Sequence, residues 1–173
     1  MPASRQDLFA RLARLGIPTE TVEHEAVFTV EQSARLERLL PGGHTKNLFL
    51  KDKRDNLFLV VALSTARIDL KGLHKLLGSD RLSFGRPELL LEVLGVPAGS
   101  VTPFALINDA ARRVTVILDA DMMRHERLNY HPLENTATTN IGGKDLLRFI
   151  AACGHTPRIL AVAAQADPTG EQP

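Results

Sequence analysis

The sequence contains few residues of the kinds that form cross-links, membrane spans or stacking surfaces. Cys153 is the only cysteine, which excludes an internal disulfide and a zinc site built from several cysteines, and fits a reducing cytoplasm. No apolar run approaches the roughly 18–20 residues that cross a bilayer, and the N-terminal segment MPASRQDLFARLARLG lacks the apolar core of a secretory signal. Tryptophan is absent and aromatic residues make up 5%, which argues against binding single strands through base stacking. We therefore expect a cytoplasmic protein with no membrane association.

The net charge is also small, but its distribution along the chain is uneven. Lysine plus arginine number 21 and aspartate plus glutamate number 20, which gives a formal net charge of +1. Residues 17–34 carry four glutamates and no lysine or arginine, whereas residues 35–87 carry eleven basic and five acidic residues, a local net charge of +6. Screening confines each charge to a Debye length of about 8 Å, so the segment 35–87 can attract phosphate although the whole chain is nearly neutral. The alternative is an ordinary solvated face, which mixed runs of charge usually form.

The composition is that of a globular domain, with 44% hydrophobic and 24% charged residues. At this length folding hides roughly 70% of the surface that the unfolded chain exposes, which is enough for one core. The sequence has no long linker, internal repeat or heptad array. It therefore predicts one domain over residues 1–164, followed by a polar, disordered tail over residues 165–173.

Capping residues and chain breakers mark the predicted elements. Ser4 and Thr29 each precede a helix and have a polar partner three residues later, and glycines follow several helices. The pattern predicts helices over residues 4–15, 29–39, 70–77, 88–94 and 144–152. It predicts strands over residues 21–25, 45–51, 56–63, 82–84, 101–107, 114–118, 136–139 and 159–162. Because helices and strands do not alternate strictly, the predicted class is α+β, a single domain with a mixed sheet.

Several familiar catalytic patterns are incomplete. The Gly-Gly segments at 42–46 and 142–145 lack the Gly-Lys-Ser/Thr ending of a Walker phosphate loop. His125 has no second histidine four residues later for zinc, and Ser100 lies outside a nucleophile elbow. Cys153 ends an apolar helix and is predicted to be a small buried hydrophobe. We expect no metal, no cofactor and no covalent triad.

Three segments suggest chemistry of a less familiar kind. In TKNLFL at residues 45–50, Lys46 stands at the mouth of an apolar strand, where it can hold an anion or polarise a carbonyl; the alternative is a lysine that guards an edge strand. In GSVTPF at residues 99–104, Gly99 admits close approach of a ligand, and backbone N–H groups of the rigid loop can bind a carbonyl oxygen; the alternative is an ordinary turn.

The third segment is HPLENTATTN at residues 131–140. Its consecutive small and hydroxylic residues predict a narrow polar cavity, beside which His131 can donate or accept a hydrogen bond. The alternative is a threonine-rich edge strand with a satisfied histidine.

Taken in order and spacing, these three segments resemble the YbaK/ProX family of aminoacyl-tRNA deacylases, free-standing relatives of the editing domain of bacterial prolyl-tRNA synthetases. The resemblance covers residues 8–162 and is carried by TKNLFL, by the GxxxP loop at 99–103 running into FALIND, and by HPLENTATTN. The HPLENTATT segment is more similar to the ProX branch, which clears alanine from the tRNA for proline, than to the cysteine-clearing YbaK branch.

The resemblance implies a curved mixed sheet with surrounding helices, and hydrolysis of the ester between a wrong amino acid and the tRNA 3′ ribose. It implies water attack assisted by a substrate hydroxyl, with no cofactor. It implies catalytic roles for Lys46, Gly99 and His131. The implied substrate-binding residues are Asn47, Ser100, Val101, Thr102, Pro103, Asn135, Thr136, Ala137 and Thr138.

The partners implied by the resemblance are aminoacylated tRNA, through the acceptor end of the tRNA for proline, and prolyl-tRNA synthetase. Cysteine, serine or threonine remain alternatives to alanine as the amino acid removed. A module that binds tRNA or the synthetase without catalysis, and a hydrolase of small molecules, also remain open.

Overall fold

A computed structural model of the protein describes residues 1–26 and 29–163. The predicted tail at 165–173 and the predicted domain boundary at 164 lie outside these residues. Within them, no helix is both long enough and apolar enough to cross a membrane.

Five α-helices lie within the described residues, close to their predicted positions. Both predicted capping boxes form, because the Ser4 and Thr29 side chains accept backbone N–H groups three residues on and receive the reciprocal bond. Gly78 and Gly95 end two helices in the left-handed conformation, which costs glycine little. The helices are α1 (Arg5–Arg14), α2 (Val30–Leu39), α3 (Leu70–Leu77), α4 (Pro87–Leu94) and α5 (Gly143–Ala152).

One eight-stranded sheet connects these helices. Its strands are β1 (Thr19–Glu23), β2 (Gly43–Lys51), β3 (Leu57–Leu63), β4 (Ser83–Phe84), β5 (Val114–Asp119), β6 (Arg127–Tyr130), β7 (Ala137–Gly142) and β8 (Arg158–Leu160). The order is β1-β7-β6-β2-β3-β5-β8, and β4 pairs with the last part of β2. The pairs β2·β6, β3·β5 and β5·β8 are parallel and the others antiparallel. The predicted α+β class with a mixed sheet is therefore confirmed.

The strand predicted over residues 101–107 is wrong. Residues Pro103–Asn108 form a 3₁₀ helix instead, because Pro103 supplies a helical φ at its start and the Thr102 hydroxyl oxygen accepts the Phe104 N–H at 3.3 Å. Phe104 is fully buried, with its ring edge-on to those of Tyr130 and Phe149 at centroid distances of 5.9 and 5.4 Å. The packing of Phe104 against these rings favours the 3₁₀ helix, although the apolar residues of the segment are also typical of a strand.

The core covers both faces of the central strand β3, which explains its unbroken apolar sequence. Alternate residues Leu57, Leu59 and Val61 join a large cluster with apolar residues of α1, α4 and α5. The residues between them, Phe58, Val60 and Ala62, join a second cluster with residues of α3.

A buried polar network fixes the turn that leads into β2. Asn140 donates from Nδ2 to Pro41 O and to Asn129 Oδ1, both at 2.8 Å, and accepts from Arg127 Nε at 2.6 Å. Asn129 donates to Gly43 O at 3.1 Å. Because buried polar groups are costly unless paired, this network holds the start of β2 against β6 in one arrangement.

Candidate active site

A cavity of about 200 Å³ opens where α2 passes over the ends of β2, β6 and β7. It is smaller than the ~300–1,000 Å³ of sites for drug-sized ligands, so its size suits a small chemical group. Its lining combines hydroxyl, amide and imidazole side chains with few apolar ones. The lining residues are Ser33, Leu36, Glu37, His44, Thr45, Asn47, Ser64, Asn129, Tyr130, His131 and Thr138.

Asn47 brings an unsatisfied acceptor to this cavity. Strand alternation turns Thr45 and Asn47 to the cavity side of β2, where the Thr45 hydroxyl donates to Asn129 O at 2.5 Å. The Asn47 Oδ1 atom is hidden from solvent and has no hydrogen-bond partner among the described residues. A buried polar atom without a partner is costly, and Asn47 is the one cavity residue within residues 1–26 and 29–163 whose side-chain oxygen is buried and unsatisfied.

His131, directly after β6, presents a second acceptor. Its Nδ1 lies 3.1 Å from Ala137 O, and because a carbonyl oxygen only accepts, Nδ1 carries the proton of this bond. Burial lowers the pKa of His131, and the hydrogen bond to Ala137 opposes this only in part. The neutral ring therefore prevails at neutral pH, with its Nε2 lone pair available.

Thr138 lines the cavity and is held by His24, a residue that the sequence reasoning missed. His24 Nε2 lies 2.8 Å from Thr138 Oγ1, and its ring centroid is 6.3 Å from that of His131. The antiparallel pairing of β1 with β7 creates this contact, since Val22 lies opposite Thr138 and His24 N–H continues the ladder to Thr136 O at 2.9 Å. The sequence shows only a histidine at the end of a predicted strand, and this does not indicate which residue the histidine contacts.

The loop at 99–103 lies beside the cavity but does not line it. Gly99 is exposed with φ +92°, and a Cβ built on it would lie 3.5 Å from Asn135 Nδ2. The Ser100 N–H is used, donating to Pro97 O at 3.1 Å. The N–H groups of Gly99 and Val101 make no hydrogen bond within residues 1–26 and 29–163, and neither residue is buried, so both N–H groups are available to a ligand.

The remaining predicted residues of this loop serve the fold. Ser100, Thr102 and Pro103 are buried, and Val101 is half-buried and packs on the large core cluster. They hold the loop rigid where it meets Asn135.

The segment between β6 and β7 connects His131 to Thr138, but its other predicted site residues do not line the cavity. Asn135 is half-buried, Thr136 is exposed, and Ala137 is fully buried and contributes its carbonyl to His131. Glu134 pairs with Arg5 at 3.1 Å, and Arg5 also pairs with Glu23. This pairing ties α1 and β1 to the segment that carries His131.

Lys46 is placed differently from Asn47. It points to the face of the sheet that carries the second core cluster, where its register partner is Ala62 and its ammonium group donates to Ala66 O. Lys46 is not among the residues that line the cavity. The structure thus brings Asn47, His131 and Thr138 together, sets the Gly99 loop beside them through Asn135, and leaves Lys46 across the strand.

No group of three or more His, Cys, Asp or Glu residues within the described chain is arranged to hold a metal ion. Cys153 is half-buried, and burial raises the pKa of its thiol to about 11. The thiolate, which is the reactive form, is therefore scarce at neutral pH.

Comparison with known proteins places this site in a family. The model of the aminoacyl-tRNA editing domain matches residues 24–149. The chain is 43% identical over 159 residues to the prolyl-tRNA synthetase associated domain-containing protein 1 of Danio rerio, covering 91% of this chain and 86% of that one. It is 33% identical over 154 residues to the prolyl-tRNA editing protein ProX of Acetoanaerobium sticklandii, covering 88% of this chain and 94% of that one.

The fold has a counterpart among solved structures. A crystal structure described as a "putative trans-editing enzyme for prolyl tRNA synthetase" superposes with a TM-score of 0.72 at 18% identity, covering 95% of this chain and 99% of that one. The resemblance carried by the three sequence segments is thus confirmed for family and fold. With the editing-domain model matching residues 24–149 and relatives aligned over nearly their whole lengths, this chain belongs to the aminoacyl-tRNA editing domain family.

Proposed function

We propose that the protein is a trans-acting deacylase that hydrolyses mischarged tRNA for proline, with the alanyl ester as its preferred substrate. The observation that carries the proposal is the small cavity that Asn47, His131 and Thr138 line together, with the Nε2 lone pair of His131 available. A relative with a third of its residues identical is named as a prolyl-tRNA editing protein, which supports the same reading.

The acceptors that His131 and Thr138 bring to the cavity suit the α-ammonium group of an aminoacyl ester. An ammonium group offers three donors and no acceptor, and hydrogen bonds to a charged group stabilise by about 1.5–3 kcal/mol each. A neutral His131 accepts such a donor, whereas a protonated His131 repels it. The cavity would therefore hold the amino-acid end of the substrate, with the ribose and the rest of the tRNA outside.

The loop at 99–103 is assigned to the ester carbonyl. Water attacks the carbonyl carbon, negative charge grows on the carbonyl oxygen, and the bond to the ribose oxygen then breaks as that oxygen takes a proton. Well-placed N–H donors stabilise the growing charge by about 3 kcal/mol each. The N–H groups of Gly99 and Val101 are available for this, and a ribose hydroxyl of the substrate activates the water.

Selection of alanine over proline rests on exclusion by size. Filling a pocket with one methylene more or fewer changes binding by only about 1–3 kcal/mol, which is too little to spare correctly charged tRNA. A rigid wall that the larger proline ring overlaps adds the missing discrimination. Buried Thr138, on the strand paired with β1, lines the cavity and supplies such a wall.

The test is a deacylation assay on the tRNA for proline charged separately with alanine, cysteine, serine and proline. We expect the alanyl ester to disappear fastest and the prolyl ester to persist. If no charged tRNA loses its amino acid faster than in buffer, the enzyme proposal is wrong. Faster loss of cysteine than of alanine would assign this protein to the cysteine-clearing YbaK branch of the family.

Lys46→Ala is expected to lower kcat/KM for the alanyl ester by about tenfold or more, because Lys46, which lies across β2 from the cavity, is assigned to the terminal ribose-phosphate outside the cavity, and a charge-assisted contact is lost. The Lys46 ammonium has donors to spare beyond its bond to Ala66 O. Lys144→Ala, which removes an exposed lysine at the start of α5, is the matched control and keeps the wild-type rate. Full activity in Lys46→Ala would remove Lys46 from the site while leaving the deacylase assignment intact.

Binding of deacylated tRNA is expected to weaken with salt, with the slope of a few phosphate contacts. The basic segment 35–87 carries a net charge of +6 while the total is only +1, so few lysines and arginines face the RNA at once. Each phosphate contact contributes about −0.7 to −0.9 to the slope of log affinity against log salt. A slope near zero would contradict phosphate docking by this segment.

A further inference from the structure

His24 is outside the cavity but is hydrogen-bonded to one of its walls. We propose that His24 is a positioning residue that fixes the direction of the Thr138 hydroxyl, so that Thr138 offers only acceptor lone pairs to the bound amino group. The inference deepens the proposed function and rests on it. It assigns a specificity role to a residue that does not itself line the cavity.

The direction of the hydroxyl follows from two contacts of the same ring. His24 Nδ1 lies 2.8 Å from Glu25 O, a carbonyl that can only accept, so Nδ1 carries a proton. In the neutral ring Nε2 is then an acceptor, and it lies 2.8 Å from Thr138 Oγ1. The Thr138 hydroxyl must therefore donate its single hydrogen to His24.

This hydrogen bond to His24 determines what the Thr138 hydroxyl presents to the cavity. A threonine hydroxyl with its hydrogen already donated presents two lone pairs and no donor. Thr138 is 6% exposed, so its orientation is set by its neighbours rather than by bulk water. Together with His131 Nε2, this gives the cavity two hydrogen-bond acceptors, which bind an ammonium group and disfavour a ligand group that is itself an acceptor.

The orientation has a test that needs no substrate. Long-range ¹H–¹⁵N correlation spectra of the full chain with ¹⁵N-labelled histidine, at a pH where His24 is neutral, identify which ring nitrogen carries the proton. We expect His24 and His131 both to carry it on Nδ1, with the His24 signals assigned by their loss in His24→Gln. A proton on Nε2 of His24 would overturn the proposal whatever the activity.

The functional consequence is tested by a double-mutant cycle with alanyl-tRNA. His24→Phe keeps a ring but no hydrogen bond, and Thr138→Val removes the hydroxyl; each should raise KM about tenfold and change kcat little, because bound substrate and transition state share the contact. His24→Gln returns an acceptor oxygen near the Nε2 position and should restore most of the affinity. The double variant His24→Phe/Thr138→Val should be no worse than either single variant.

Thr21→Val is the matched control. It breaks the neighbouring hydroxyl pair, Thr21 with Thr139 at 2.8 Å, between the same two strands and outside the cavity lining. We expect wild-type kinetics from it, with melting curves showing that all variants are folded. Wild-type kinetics in His24→Phe, or effects of His24→Phe and Thr138→Val that add, would refute the positioning role. If the unmodified protein deacylates nothing, the proposed function fails instead, and the spectra still decide the orientation.

Discussion

His131→Asn should lower kcat/KM for the alanyl ester about 100-fold, the cost of losing a hydrogen bond to a charged group. Asparagine places its amide nitrogen near the position of Nδ1, so the bond to Ala137 O is kept while the Nε2 lone pair is removed. The loss would therefore report on the cavity side of the ring and not on the fold of the segment. Steady-state deacylation of alanyl-tRNA measures it.

His131→Gln is the comparison, since glutamine can place an acceptor oxygen near Nε2, and it should recover a large part of the rate. Equal and severe losses in both variants, with unchanged melting temperatures, would contradict the acceptor role. Equal wild-type activity in both would remove His131 from the site.

The pH dependence of activity follows from the same group. Burial holds the pKa of His131 below its ordinary value of 6.5, so the neutral, active form persists to lower pH than for an exposed histidine. Activity should be level at pH 7 and fall as pH drops through the lowered pKa. The unfolded chain binds this proton more readily than the folded one, so His131 also lowers stability as pH falls below about 6.5. His131→Asn should lose this part of both profiles.

Much of the fold could be predicted because the local signals agree with the final packing. The boxes at Ser4 and Thr29 and the glycine stops at Gly78 and Gly95 involve residues close in sequence, so their outcome does not depend on the rest of the molecule. The strand β3 was found from its apolar run alone. The local sequence is therefore sufficient to predict these elements.

The secondary-structure predictions are wrong where contacts between residues distant in sequence determine the local structure. The segment at Pro103–Asn108 is apolar enough for a strand, but Phe104 packs between two rings that come from β6 and α5. The strand β6 is not predicted because half of its residues are polar, and Asn129 is stabilised there by distant partners, Gly43 at the start of β2 and Asn140 on β7. Neither set of contacts can be seen within a short window of sequence.

The site residues also differ in whether the sequence alone could predict them. Asn47, His131 and Thr138 were named from the resemblance, and they do line one cavity. His24 was not named, because its role depends on the register between β1 and β7. A register shift of one residue would turn Thr138 to the other side of the sheet, so this part of the site is a property of strand pairing and not of a motif.

Gly42→Ala is the substitution with the largest expected effect on stability, because it disturbs the pairing of another two strands, β2 and β6. Gly42 has φ +107°, and a Cβ built on it would lie 2.3 Å from Arg127 O and 2.7 Å from Arg127 C. The obstacle is the backbone of β6, which cannot turn aside as a flexible side chain would. Strain and displacement together should cost about 3 kcal/mol or more of unfolding free energy, measured by urea denaturation.

Gly78→Ala separates the two causes. Gly78 has a similar left-handed φ of +71°, but nothing lies within 4 Å of its added Cβ, so only the conformational cost of about 1–2 kcal/mol applies. The difference between the two variants therefore isolates the contact with β6. Because that contact sets Gly43 against Leu128 and the cavity wall at Asn129, Gly42→Ala should also lose deacylation at temperatures where it is still folded, whereas Gly78→Ala should not. Equal losses of stability, or full activity in folded Gly42→Ala, would mean that β2 can slide on β6 without disturbing the cavity.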